Sequence, residues 1–216
     1  MILNFKNTRA TPAARSYMAI RRTIGILGIV LPFFLLIAGQ LWGCKMRMES
    51  ISHYYYTFLS TCFTGVLCAV GVFLITYKGY GPLDDLATNF AGICAFGVAL
   101  FPTTLPKCTI FADAFPPYTR YVHYTCAALF FVTLALISLF LFTKTNPNST
   151  APLPKEKKIS DRIYRVCGIL MLIFVVLVPI TSIDAIADVI GKYNPTFWCE
   201  TGALLSFGTS WLTKGV

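Results

Sequence analysis

The chain has 216 residues, a net charge of +9, 56% hydrophobic residues and a mean hydropathy of +0.68. Charged residues make up only 12%, about half the share of an ordinary soluble domain, which argues against a soluble globular protein. Nucleic-acid binding is excluded by placement: a nucleic-acid domain gathers Lys and Arg on one folded polar face, whereas here they fill the gaps between apolar runs, as in a membrane protein.

The first 22 residues form a basic segment with Lys6, Arg9, Arg15, Arg21 and Arg22, and no acidic residue precedes Glu49. A transmembrane domain is expected over 23–216. A spanning helix needs about 20 mostly apolar residues, and six stretches meet or approach that length: Thr23–Trp42, Phe58–Tyr77, Leu86–Phe101, Tyr121–Phe142, Tyr164–Ile183 and Phe197–Leu212. The first is too long for a signal-peptide core, and "GCKMRM" after it is not a cleavage site, so it reads as a retained anchor. With the N-terminus inside, thirteen of the 18 Lys and Arg fall on the inner side. The fold expected is therefore all-α: a polytopic six-helix bundle with both termini cytoplasmic.

Between the spans, residues 43–57 carry "ESISHYYYTF", a polar cluster before the second apolar run. Tyr54, Tyr55 and Tyr56 read as part of an interfacial belt with Trp42, Tyr77, Tyr80, Tyr118, Tyr121, Tyr124, Tyr164, Tyr193, Trp198 and Trp211. In "KGYGPLDD", Asp84 or Asp85 is placed to cap the third helix. Cys44 and Cys108 both fall in outer loops, where an oxidising environment would let them pair. The stretch 143–163 reads as a mobile basic linker against lipid headgroups. Small residues at four-residue spacing predict close helix contacts: Thr61, Gly65 and Ala69; Ala91, Ala95 and Ala99; Gly202, Ser206 and Ser210.

The chain lacks a nucleotide-binding glycine loop, an HExxH and a CxxC, and its eight cysteines show no metal-ligand spacing. Polar chemistry instead collects at the outer ends of the spans. His53 with Ser52 precedes the second, His123 opens the fourth, Asp184 and Asp188 follow the fifth, and Glu200 lies just inside the sixth. Asp184 and Asp188 share a face if the helix continues, and an ionisable group inside a span is a functional candidate by default. The plainer alternatives are solvated aspartates, interfacial histidines, and a Glu200 that caps a helix start or pairs with Arg120 or Lys192.

The segments "SISHYYYT", "YKGY", "AGICAFGVALFPT", "VHYTCAALFF", "IYRVCG" and "FWCETGALLSFGTSWLTKG" resemble a family of small, uncharacterised polytopic bacterial membrane proteins. The likeness runs from about residue 50 to the C-terminus, with His123 and Glu200 at recurring positions. It implies the six-span fold and a bacterial inner (plasma) membrane, and no activity. That family commonly has an Asp after the tyrosine run, where this chain reads "TFLSTCFTG". A looser likeness joins Ser50 or Ser52, His53, an acidic residue and a later histidine to parts of the seven-span alkaline ceramidase and adiponectin-receptor group, which are zinc hydrolases. Zinc there wants about three histidines and an open position for water, and this chain has two histidines.

Three functions compete. The first is an outward-facing polar pocket of His53, His123, Asp184, Asp188, Glu200 and Ser52 that binds or transports a membrane lipid or a small solute, needing no cofactor. The second is an intramembrane metal-dependent lipid hydrolase, with zinc on His53, His123 and Glu200 and with Asp184 or Asp188 as base. The third is a structural or accessory subunit whose small-residue stripes join partners, including copies of itself in a homo-oligomer.

Overall fold

A computed structural model describes residues 12–42, 48–79, 81–104, 115–145 and 154–214. The described residues are helical, with α1 Pro12–Trp42, α2 Ser60–Thr76, α3 Pro82–Leu100, α4 Tyr118–Leu136, α5 Lys155–Thr181, the short α6 Asp184–Ile190 and α7 Pro195–Lys214. A 3-10 turn, Ile51–Tyr56, precedes α2, and a π-helical turn, Ile137–Leu141, prolongs α4. Prolines mark several helix starts, at Pro82 and Pro195 and just before the start at Pro117 and Pro154. Proline lacks the N–H that a first turn cannot satisfy, and its φ is already helical. Asn194, left-handed at φ 52°, turns the chain into α7, a conformation that Asn tolerates better than most residues.

Met18–Leu41, Pro82–Leu100, Tyr118–Leu141 and Lys155–Thr181 are long and apolar enough to cross a membrane, and Ser60–Thr76 is a shorter apolar helix. The chain is thus an integral membrane protein by length and composition. Among the described residues, polar contacts gather at two ends of the longer helices. Arg21 near the start of α1 meets Tyr77 after α2 (3.1 Å to the hydroxyl) and the Lys214 carbonyl at the end of α7 (3.3 Å). At the other end Phe101, after α3, meets His123 near the start of α4. The closest packing is α5 on α7, α2 on α3, α1 on α7 and α3 on α4, with α4–α5 and α1–α2 completing a circuit.

Without a hydrophobic driving force in lipid, helices associate through close backbone approach, and two glycine pairs provide it here. A Cβ on Gly208 of α7 would lie 2.6 Å from the Gly25 carbonyl oxygen of α1, and one on Gly25 would lie 2.8 Å from the Gly208 oxygen. Gly71 of α2 and Gly92 of α3 meet in the same reciprocal way, at 3.1 and 2.7 Å. Ala91, Ala95 and Ala99 are fully buried, as their spacing predicts. Ser210 is likewise buried and bonds to Ser138 on the π-turn (2.6 Å), which also donates to the Tyr164 carbonyl (2.8 Å). The Thr61–Gly65–Ala69 stripe differs: Thr61 and Gly65 are exposed, and a Cβ on Gly65 would meet nothing. The face of α2 that packs is Phe63, Leu67, Val70 and Leu74.

Three other expectations are corrected. Gly81, not an aspartate, occupies the N-cap of α3, and Asp84 and Asp85 lie in the first turn. From there Asp85 accepts the Gly79 N–H (2.8 Å) and Asp84 pairs with Lys144. The tyrosine run is not a uniform belt: Tyr54 is buried, and a Cβ on Gly39 would press on its ring, as Tyr77, Tyr164 and Trp211 are also buried, whereas Tyr118, Tyr121, Tyr124, Tyr193 and Trp198 are exposed. The linker is shorter than its composition suggests, because α5 already begins at Lys155. Cys44 and Cys108 lie outside the described residues.

Candidate functional site

The 3-10 turn is short because its sequence caps it twice. Ser50, extended at φ −143°, accepts the Ser52 N–H through its side chain (3.1 Å). The turn ends where Thr57 returns to extended backbone, its N–H bonded to the Tyr54 carbonyl (3.2 Å). This places Ser50, Ser52 and His53 side by side, each less than a tenth exposed.

Glu200 arrives from the second turn of α7. Its carboxylate accepts the Ser50 hydroxyl on both oxygens (2.8 and 2.9 Å) and the Ile51 N–H on one (2.6 Å). The Phe197 N–H donates to the Glu49 carbonyl (3.0 Å), so α7 and the turn are stitched together at two points. Glu200 therefore caps a helix as expected, but the 3-10 turn of another segment rather than its own helix. Arg120 and Lys192 are engaged elsewhere, stacked on Tyr121 (4.8 Å) and Tyr193 (4.9 Å).

His123 comes from the first turns of α4 and is 2% exposed. Its Nδ1 lies 2.8 Å from the Phe101 carbonyl oxygen at the end of α3, and its Nε2 lies 3.0 Å from Ser52 Oγ. A carbonyl can only accept, so Nδ1 carries the proton and Nε2 takes the Ser52 hydroxyl. His53, 8% exposed, differs: its Nδ1 is buried and has no hydrogen-bond partner. Burial, and then the neighbouring His123, lower its pKa to about 4, so the ring is neutral at physiological pH. Beside them Tyr56 donates to the Thr103 carbonyl (2.6 Å), and burial followed by Tyr55 and Tyr124 pushes its phenol up to about 12.

Four of the six residues proposed from sequence thus come together: Ser52, His53, His123 and Glu200. Asp188 is exposed on α6 and makes no hydrogen bond to this group, and the side chain of Asp184 lies outside those described. Ser50, the sequence's alternative to Ser52, joins the site too, and the Ile51 N–H and the Phe101 carbonyl join it without having been singled out. Ser50 had one available signal, its position directly before a residue run that turns, where Ser is a preferred cap. Among the described residues no group of three His, Cys, Asp or Glu side chains is arranged to hold a metal ion. Zinc on His123 would have to displace Ser52 or Phe101, and on Glu200 it would compete with three bonds already made. A cavity of about 10 Å³ lies at the opposite end, between Tyr77, Asp84, Thr88, Ile137, Leu141 and Phe142. It is near the lower limit for a single water and has no part in the histidine cluster.

Comparison with known proteins finds no matching family model, no matching curated protein and no matching solved structure.

Proposed function

We propose that this is a six-span bacterial plasma-membrane protein, with both termini cytoplasmic, that binds a lipid headgroup or small solute at the histidine end of its bundle. The alternation of six long helices between two ends supports six crossings, and the excess of Lys and Arg at the other end supports the orientation. The observation that carries the binding reading is the His53 imidazole, buried with a ring nitrogen unpartnered beside the Ser52–His123 pair. Buried polar atoms are almost always bonded, so an exception calls for an explanation, and a bound ligand is the one proposed for His53.

A second reading, lipid hydrolysis, is favoured by one observation, the Ser52 hydroxyl held on a histidine whose other nitrogen is oriented by a carbonyl. It has the order of a nucleophile, its base and an orienting group. What weighs against it is that the N–H groups of the turn itself are already used and offer no oxyanion support. The Ile51 N–H serves Glu200, the Ser52 N–H serves Ser50 Oγ, and the His53 N–H serves the Ser50 carbonyl.

Native mass spectrometry and elemental analysis of the detergent-purified protein separate the two. A retained lipid or small molecule, lost in the His123→Ala variant, is the expected result. About one zinc per chain with no retained molecule would transfer the assignment to hydrolysis, and a bare chain seen only as an oligomer would move it to a structural subunit.

A further inference from the structure

We propose that the lysine end carries a second site, apart from the histidine cluster, in which Lys157 and Lys214 together bind a phosphate group, carried by an acidic lipid headgroup or free in solution. The site is built on one carbonyl. The π-turn ends at Phe142, whose N–H bonds to the Ile137 carbonyl (2.9 Å). The Phe142 carbonyl is one of those that a helix end leaves without an intrahelical donor. Lys157 from the start of α5 and Lys214 from the end of α7 each bring an ammonium nitrogen to 3.4 Å from its oxygen. One ammonium is enough to cap a helix end. Two that converge on the same oxygen from different helices are neighbours of like charge, and they repel each other. Arg21 brings a third cation from α1 through its bond to the Lys214 carbonyl (3.3 Å).

The acids of this end do not balance the charge. Asp161 pairs with Lys157 and Asp84 with Lys144. Beyond these, the stretches that the sequence assigns to this end hold only Asp85 and Glu156, against thirteen Lys and Arg. The start of α5 concentrates the excess. No side chain caps that helix, and Lys155, Lys157 and Lys158 stand in its first turn around a single Glu156, where the helix dipole is already positive and favours an anion. The Lys157 side chain is 27% exposed, so an anion reaches it without opening the fold. Its ammonium has three donors, and Phe142 and Asp161 take two. A phosphate carries several acceptor oxygens on one centre, so it accepts from both ammonium groups at once, and lysine is a common phosphate ligand. The start of Lys155–Thr181, a helix long and apolar enough to cross a membrane, is also where a bilayer presents its headgroups.

The test uses the full chain in detergent with dioctanoyl phosphatidic acid, dioctanoylglycerol and inorganic phosphate, with binding followed by native mass spectrometry and thermal shift. Wild type should bind the phosphatidic acid and not dioctanoylglycerol. Lys157→Met with Lys214→Met, which keeps the apolar stems and removes both charges, should weaken binding about thirtyfold. Lys157→Arg with Lys214→Arg should retain it. Lys78→Met with Arg162→Met removes two exposed cations of the same end and should leave it unchanged. If the methionine pair melts too low to test, Lys157→Met alone should weaken binding about fivefold. Inorganic phosphate that binds as tightly, with the same dependence on the two lysines, would keep the class and make free phosphate its source. Equal weakening by Lys78→Met with Arg162→Met would assign the binding to diffuse attraction by a basic surface and overturn the site. Binding that ignores Lys157 and Lys214, equal binding of dioctanoylglycerol, or no binding of any probe would overturn it as well. His123→Ala, which tests the histidine end, should leave the lysine-dependent binding intact, so the two sites stand or fall separately.

Discussion

The two ends of the bundle solve the same problem, polar groups at the edge of an apolar body, in opposite ways. At the lysine end charge meets charge: Lys144 pairs with Asp84, Lys157 with Asp161, and Lys78 with Asp85. Two further cations lie on rings, Arg21 over Tyr77 (5.1 Å) and Lys214 over Phe142 (5.2 Å) and Tyr164 (5.8 Å). Those rings lock to one another through Trp211, in edge contact with Tyr77 and Phe142. At the histidine end the Glu200 carboxylate and the His123 imidazole are held by hydroxyls, a carbonyl and an N–H group, and no ion pair is formed there among the described residues. On the proposed reading the contrast separates anchoring from recognition: the lysine end gathers cations of the kind that orient a membrane protein, and the histidine end holds the buried His53 Nδ1 without a hydrogen-bond partner.

The sharpest way to break this contrast is to remove one cation from the lysine end. Asp84 is 5% exposed in its side chain and Lys144 is 44% exposed, so the two partners are not equivalent. Lys144→Met leaves a buried carboxylate without its ammonium and should cost about 3 kcal/mol. Asp84→Asn removes the buried charge and lets Lys144 hydrate, so it should cost clearly less. Melting of the purified variants gives the order. Equal losses, or a larger one for Asp84→Asn, would show that the pair is a solvated surface contact.

At the histidine end the corresponding variant is Glu200→Ala. It strands the Ser50 hydroxyl and the Ile51 N–H, and a loss of about 2 kcal/mol is expected from hydrogen bonds to a charged acceptor. Glu200→Gln keeps one acceptor and should retain part of that. Unchanged melting in Glu200→Ala would mean that α7 holds the 3-10 turn through packing and the Phe197–Glu49 backbone bond alone.

Acidification sharpens the comparison further. The His53 pKa lies near 4 in the folded chain and near 6.5 when unfolded. Below pH 6.5 the unfolded state takes up a proton that the folded state refuses, so stability is lost as pH falls from 6.5 towards 4. By pH 5 this amounts to roughly 2 kcal/mol for His53. The quantity to measure is the melting difference between wild type and His53→Phe at pH 7 and pH 5, because other titrating groups cancel in it. A difference that does not change with pH would show that His53 is solvated.

How much of this was legible beforehand follows from what a sequence encodes. Apolar runs and the placement of Lys and Arg mark helices and ends, because burial and lipid act on composition. His123 and Glu200 could be singled out because an ionisable residue in an apolar run is conspicuous. The carboxylate expected after the tyrosine run is absent from this sequence, and Glu200 supplies one to the neighbouring Ser50 from α7, about 150 residues away. No local pattern announces such a contact. The Phe101 carbonyl could not be foreseen, since a backbone acceptor carries no residue identity. Which small residues meet was equally hidden: Gly71 and Gly92 touch and Gly65 does not, and that depends on the rotation of α2 about its axis. Pairing for Asp84 needed the chain to return along α4 to Lys144, so its local role as a cap was the only one visible.

The smallest effect expected is at the rim of the lysine end, and it tests whether the charges there act together or singly. Lys78 is 69% exposed and its contact with Asp85 is 3.4 Å. Exposed pairs gain little because water screens them and ordering two long side chains costs entropy. Asp85 meanwhile keeps the Gly79 N–H (2.8 Å) whether or not Lys78 is present. Lys78→Ala should therefore leave the melting temperature within the scatter of replicate measurements, at low salt and at high salt alike. A salt-dependent loss comparable to that of Lys144→Met would join Lys78 to the buried network and make the lysine end a single cooperative unit.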